Sequence, residues 1–199
     1  MTAAGQPPLR LVLGSTSRYR AELLRRLCAE FEQRAPGTDE SVRADEAPAT
    51  RAQRLAVAKA DAAAIGLDDA VVIGSDQVAE LDGRLLDKPG TVAQACAQLA
   101  ASRGRLLQFH TAVCVLDTRS GQRQVHVDLT RVRFRDLSTT EIARYVEREQ
   151  PLDCAGSFKG EGLGICLFEQ IDSHDPTALI GLPLIALARL LRECGMQLP

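Results

Sequence analysis

The sequence predicts an α/β protein built on one mixed sheet flanked by helices, and three observations carry that prediction. Short apolar runs alternate with stretches whose apolar residues recur at helical spacing. Two long β-rich runs, 106–116 and 125–134, follow one another across a Ser120-Gly121 turn and should pair antiparallel. At 199 residues, with 45% hydrophobic and 25% charged side chains, the chain has an ordinary globular composition and little more than one domain's length.

Residues 1–8 are small residues and prolines and are expected to form a mobile tail, leaving 9–199 as a single domain. Leu9 to Leu13 reads as a buried strand, ended by Gly14-Ser15-Thr16-Ser17. Leu23, Leu24 and Leu27 then mark a helix from Arg18 to Cys28. A short strand near Phe31 leads into an acidic, proline-bounded loop, 36–48, and the alanine-rich stretch 49–65 is a helix that Gly66 stops. Val71-Val72-Ile73 is a second apolar strand, running into Gly74-Ser75-Asp76-Gln77, and Leu81-Asp82-Gly83-Arg84 is a hairpin turn. Lys88-Pro89-Gly90 breaks the chain before Thr91, the N-cap of a helix through Leu99. Ser138 and Glu141 form a capping box for a helix to about Glu149. The glycine-rich segment 156–164 precedes a strand at 165–168, and 184–191 is a closing amphipathic helix.

Charge excludes one class of partner. With 24 basic and 26 acidic residues the net charge is -2, which leaves no general basic excess to hold a nucleic-acid polymer, although a local patch can still grip a small anion. The chain has no twenty-residue apolar span and no basic-then-apolar leader, so a cytoplasmic protein without a membrane partner is expected. Its six cysteines, 28, 96, 114, 154, 166 and 194, are never closer than twelve residues, so no CxxC pair exists to chelate zinc. They are expected to be reduced and mostly small core residues. The seven aromatics include no Trp, which makes any aromatic near a site conspicuous.

The first loop, Gly14 to Arg20, carries small hydroxyl residues between strand and helix, an arrangement that suits phosphate, with Arg18 and Arg20 able to add charge-assisted bonds. The plainer reading, that the serines only cap the helix and the arginines are solvated, stands beside it. There is no GxxxxGK[ST], and Gly160-Glu161-Gly162-Leu163-Gly164 is one spacing short of GxGxxG and opens no helix. Asp76 stands at the mouth of an apolar strand, where carboxylates of α/β proteins often meet ligand, and Asp39 and Glu40 sit in a polar loop. Such carboxylates without His or Cys company suit magnesium or manganese rather than zinc, though Glu40 equally reads as a solvated charge. Lys59 and Lys88, each taken alone, read as exposed lysines. His110, His126 and His174 show no ligand spacing and are expected to be hydrogen-bonded strand or loop residues, and Cys154 is expected to be core filler rather than a nucleophile.

In order along the chain these pieces match one family. Leu11-Val12-Leu13-Gly14-Ser15-Thr16-Ser17-x-x-Arg20, Asp39-Glu40, Lys59-Ala60, Ile73-Gly74-Ser75-Asp76-Gln77, Lys88-Pro89, His110-Thr111, Ala155 to Gly164, Asp175-Pro176 and Leu179 to Leu184 resemble the Maf family of nucleoside triphosphate pyrophosphatases. The resemblance implies a twisted mixed sheet with a central cleft, related to that of inosine-triphosphate pyrophosphatases. It also implies hydrolysis between the α- and β-phosphates. Asp76 is then the proton acceptor, while Ser15, Ser17, Arg20, Lys59 and Lys88 hold phosphate. Glu40 and Asp76 position a divalent cation, Mg2+, Mn2+ or Co2+. The Gly-Ser-Asp-Gln and Phe-Lys-x-Glu-Gly-Leu-Gly forms resemble the YceF-type branch, associated with 7-methyl-GTP, with Tyr19, Gln77 and Glu161 as specificity positions. Tyr19 departs from the Trp often found there. The implied alternatives are a dTTP/UTP pyrophosphatase of the same family and a non-catalytic nucleotide-binding regulator of cell division. A homodimer is also implied.

Overall fold

A computed structural model describes residues 9–199, so the expected tail at 1–8 lies outside the described residues. Strand β1 (Leu11–Gly14) starts two residues later than the apolar run and is buried throughout. It pairs in parallel with β2 (Glu32–Gln33) on one side and β3 (Val71–Leu81) on the other. Burial on both faces explains why β1 and the start of β3, Val71 to Ile73, read as unbroken apolar runs. β5 (Leu106–Asp117) and β6 (Gln122–Phe134) are the expected antiparallel pair, and β5 joins β3 antiparallel. β7 (Phe168–Asp172) completes the order β2-β1-β3-β5-β6-β7, with β4 (Arg84–Leu86) hairpinned onto β3. Asp82 and Gly83 turn that hairpin at φ 48° and 79°, the positive pair a type I′ turn needs.

Side chains alternate across the strands, and each face is covered differently. Helix α2 (Pro48–Ala64) packs Ala52, Ala56 and Ala60 against Val12, Val72, Ala112 and Cys114. The other face carries α1 (Arg18–Leu24) and α5 (Leu184–Glu193) around Leu13, Ile73 and Val113. Beside them, α3 (Val92–Ser102) and α4 (Thr139–Glu149) close over Phe109, Phe134 and Phe158. Phe158 meets Phe109 and Phe134 edge to face, with centroids 5.3 and 5.6 Å apart. Thr91 and the Ser138–Glu141 capping box cap α3 and α4 as their residue types require.

Five expectations need correction. Helix α1 ends at Leu24 rather than Cys28, because Arg26 N and Leu27 N tighten onto the Leu23 and Leu24 carbonyls. β3 does not stop at Ile73: Gly74-Ser75-Asp76-Gln77 looks like a loop, yet β5 supplies ladder partners from Cys114 to Gln108. Asp76 therefore sits within a continuous strand. Residues Leu163–Leu167 form a 3-10 turn, and the strand follows at Phe168–Asp172. All six cysteines are free, but only Cys114 is buried and Cys166 is exposed, so they are not a core set. His110 Nε2 is buried without a hydrogen-bond partner among the described residues, 3.5 Å from Glu80 Oε1, whose oxygen already accepts from Gln108.

Candidate active site

One cleft of about 900 Å³ is bordered by all ten residues to which the family resemblance assigns a role: Ser15, Ser17, Tyr19, Arg20, Glu40, Lys59, Asp76, Gln77, Lys88 and Glu161. Six separate segments bring them there. The centre is set by how closely α2 lies on β3. Lys59 and Asp76 are both buried, and Lys59 Nζ donates to Asp76 Oδ1 at 2.6 Å. The same ammonium lies 2.7 Å from Glu40 Oε1, although Glu40 is on an exposed loop. Burial pushes the Glu40 carboxyl upward, but its bond to Lys59, with the charges of Lys59, Lys88 and Arg20, outweighs this and holds it below the usual glutamate range.

The phosphate-like loop folds back on its own serines. Ser15 Oγ accepts from Ser17 N at 3.1 Å and from Arg20 Nη1 at 3.4 Å, and Ser17 Oγ accepts from Arg20 N at 3.4 Å. Ser17 is thus the N-cap of α1, Ser15 holds the Ser17 amide, and both serines line the cleft. Arg20 Nε donates to Gly181 O at 2.9 Å, which aims its guanidinium from α1 toward the site. Desolvation lowers the Arg20 pKa while the charges of Asp76 and Glu40 pull it back. An arginine stays protonated across this range, so the cleft holds a fixed positive charge opposite Asp76. Lys88 is exposed at the cleft edge, and no ion pair engages it among the described residues.

Tyr19, Gln77 and residues 158–161 also line the cleft. Gln77 points to the opposite face of β3 from Asp76, where its Nε2 donates to Thr111 Oγ1, Ala178 O and Leu179 O at 3.0, 3.0 and 3.1 Å. Glu161 is exposed on a segment held by α4: Tyr145 OH accepts from Lys159 N, Lys159 Nζ donates to Glu149 O, and Glu149 Oε2 accepts from Leu163 N. Gly162 and Gly164 allow this, because a Cβ would press on Glu149 in one case and overlap Lys159 O in the other. Tyr19 is half-buried, and its hydroxyl donates to Asp153. Beside it, burial and the Asp153 charge push the Cys154 thiol up to about 12, which leaves it unreactive as a nucleophile.

Sequence reasoning missed Arg51 and Thr38. Arg51 lies two turns before Lys59 on α2, is buried, and donates from Nη2 to Glu40 O at 3.0 Å, which ties the Glu40 loop to the helix. Thr38 Oγ1 and Arg51 Nη1 are buried without partners among the described residues, and both residues border the cleft. An i, i+4, i+8 stripe of Arg51, Leu55 and Lys59 was the available signal, but an arginine there looks solvated until the loop is folded over it.

No cluster of three or more His, Cys, Asp or Glu able to hold a metal occurs among the described residues. Two carboxylates, Glu40 and Asp76, nevertheless converge on one cationic point. All-oxygen donors of this kind suit a hard cation such as magnesium or manganese better than zinc, and the point on which they converge is held here by the Lys59 ammonium.

The comparisons agree with this architecture. A profile of the Maf family, described as "Maf-like protein", matches residues 10–194. A protein of Xanthomonas oryzae pv. oryzae named 7-methyl-GTP pyrophosphatase is 58% identical over 191 residues, 96% of this chain and 99% of its own length. Proteins of the same name from Burkholderia pseudomallei and Aromatoleum aromaticum are 55% and 54% identical, each over 96% of this chain and over 90% and 98% of their own lengths. Among solved structures, the Staphylococcus aureus Ham1 protein superposes with a TM-score of 0.52 at 16% identity, over 94% of this chain and all of that one, a likeness of fold alone. With the profile spanning nearly the whole described chain and relatives more than half identical throughout, the chain belongs to the Maf family.

Proposed function

We propose that this protein hydrolyses 7-methyl-GTP between its α- and β-phosphates, releasing 7-methyl-GMP and diphosphate. The observation that carries the proposal is the buried Asp76–Lys59 contact in a cleft that Arg20, Lys88, Tyr19 and Glu161 also line. The names of the Xanthomonas, Burkholderia and Aromatoleum relatives support the substrate.

In this reading Asp76 takes the proton from the attacking water. Lys59 fixes Asp76 through Oδ1, leaving the second carboxylate oxygen as the acceptor. Arg20, Lys59 and Lys88 neutralise the phosphate oxygens, with the Ser15 and Ser17 hydroxyls as added ligands. Glu40 and Asp76 would hold a divalent cation, Mg2+, Mn2+ or Co2+, which when bound supplies charge to the phosphate oxygens. Lys88 has no ion-pair or hydrogen-bond partner among the described residues, so its contribution is the easiest to isolate. Lys88→Ala should lower kcat/KM by about ten-fold, mainly through KM, as expected for one charged hydrogen bond. Steady-state kinetics across substrate concentrations check this, and unchanged constants return Lys88 to solvent.

Guanine presents N1–H and N2–H donors along one edge, and the Glu161 carboxylate can accept both. Methylation at N7 makes the base cationic and adds attraction to Glu161. Glu161→Gln should therefore lower the kcat/KM ratio of 7-methyl-GTP over UTP by at least about ten-fold, because a glutamine must turn one donor toward the base. An unchanged ratio removes Glu161 from base recognition.

The deciding experiment is a panel of canonical and methylated nucleoside triphosphates with Mg2+ and with Mn2+, scored for monophosphate and diphosphate. Preferred cleavage of 7-methyl-GTP to those two products is expected. A preference for dTTP and UTP points to the other branch, and tight binding without turnover points to a regulator.

A further inference from the structure

Arg18 opens α1 beside Tyr19 and has no part in the phosphate and base contacts proposed above. Its guanidinium carbon lies 4.7 Å from the Tyr19 ring centroid, and its Nη2 donates to the Tyr19 hydroxyl at 2.7 Å. The Tyr19 hydroxyl in turn donates to Asp153 Oδ2 at 3.4 Å, and Arg18 Nη2 stands 4.0 Å from that same oxygen. All three residues border the cleft. The Arg18 side chain is 66% exposed, so little beyond the ring, its hydroxyl and a long ion pair holds it in place.

An aromatic face attracts a cation because its quadrupole is negative there, and a guanidinium over the ring already satisfies that attraction. A base that stacks on this face has to move Arg18 aside. For a neutral guanine the cost ends there, since a displaced guanidinium can stack or hydrogen-bond nearby without repulsion. A base made cationic by N7-methylation meets the same displacement and a like charge at short range as well.

We infer that Arg18 is a specificity-determining residue, a resident cation on the Tyr19 ring that weakens the cleft's preference for a cationic over a neutral purine. The inference rests on the proposed function, with the base stacking on Tyr19, a specificity position that the family resemblance implies; it is read by binding rather than turnover, so that it and the proposed reaction can fail separately.

Arg18→Gln and Arg18→Ala remove the charge from an exposed position, and Arg18→Lys keeps it. Titration calorimetry with 7-methyl-GMP and with GMP, which lack the bond to be cleaved, gives the affinity ratio of each variant. The two neutral variants should raise the 7-methyl-GMP to GMP ratio by about three-fold, the size of one exposed cation–π contact. Arg18→Lys should stay near the starting ratio. In a Tyr19→Leu background, Arg18→Gln should move the ratio by less than half as much, because the shared aromatic face is gone. A ratio that is unchanged or falls in both neutral variants overturns the inference. So does an equal rise in the Tyr19→Leu background, or a starting protein that binds neither nucleotide.

Discussion

Asp76→Asn is expected to lower kcat by about three orders of magnitude, within the range that a positioned general base contributes. The amide oxygen cannot take the proton of an attacking water, while the side chain keeps its size. The fold should survive, because Lys59 does not become an unpaired buried charge: Glu40 Oε1 remains 2.7 Å from its ammonium. A thermal melt within a few degrees of the starting protein, together with single-turnover diphosphate release, tests both halves. Titrating Mg2+ separates the two roles proposed for this carboxylate. A rate restored by excess cation makes Asp76 a ligand, and a rate that stays low makes it the base. Near-normal turnover strikes it from the mechanism.

What was legible beforehand follows from what each element depends on. The capping box at Ser138, the Thr91 cap and the I′ turn at Asp82-Gly83 are local, and each formed as its residue types dictate. The continuation of β3 through Gly74-Ser75-Asp76-Gln77 was not legible, because polar small residues become strand only when a partner such as β5 completes the ladder. The same distinction runs through the site. Asp76 stood out locally as a carboxylate at the end of an apolar run, whereas Lys59 read locally as exposed and Glu40 equally as a solvated charge, and only the family pattern drew those two to the site. Only the fold puts one ammonium between two carboxylates. Arg51 escaped because its role consists of reaching a backbone carbonyl eleven residues away, and no residue type announces that. Arg18 was visible as a charge near Tyr19, but its seat over the ring depends on the side-chain geometry at the start of α1.

Gly74→Ala should be the most damaging glycine-to-alanine change among the described residues. Its Cβ would overlap the Ala56 carbonyl oxygen and lie 2.5 Å from Ala60 N and 3.0 Å from Ala60 Cα, so backbone, not a flexible side-chain end, has to retreat. Overpacking of this kind costs about 3 kcal/mol, and at roughly 2–4 °C per kcal/mol for a chain of this length the melting temperature should drop by about 6–12 °C. The functional loss should exceed the stability loss. Ala56 and Ala60 flank Lys59 on α2, so pushing the helix off β3 at this point lengthens the 2.6 Å contact between Lys59 and Asp76. Measured well below the melt, kcat should fall by at least about ten-fold, since a misplacement of an ångström at a reacting group can cost far more than that. Gly121→Ala provides the contrast. Gly121 has φ 70° in the β5–β6 turn with nothing within 4 Å of a Cβ, so its alanine costs backbone strain alone and should leave kcat untouched. Equal kinetic effects from the two alanines, or a Gly74→Ala protein as active as the original at low temperature, would show that helix–strand spacing does not set the position of Lys59.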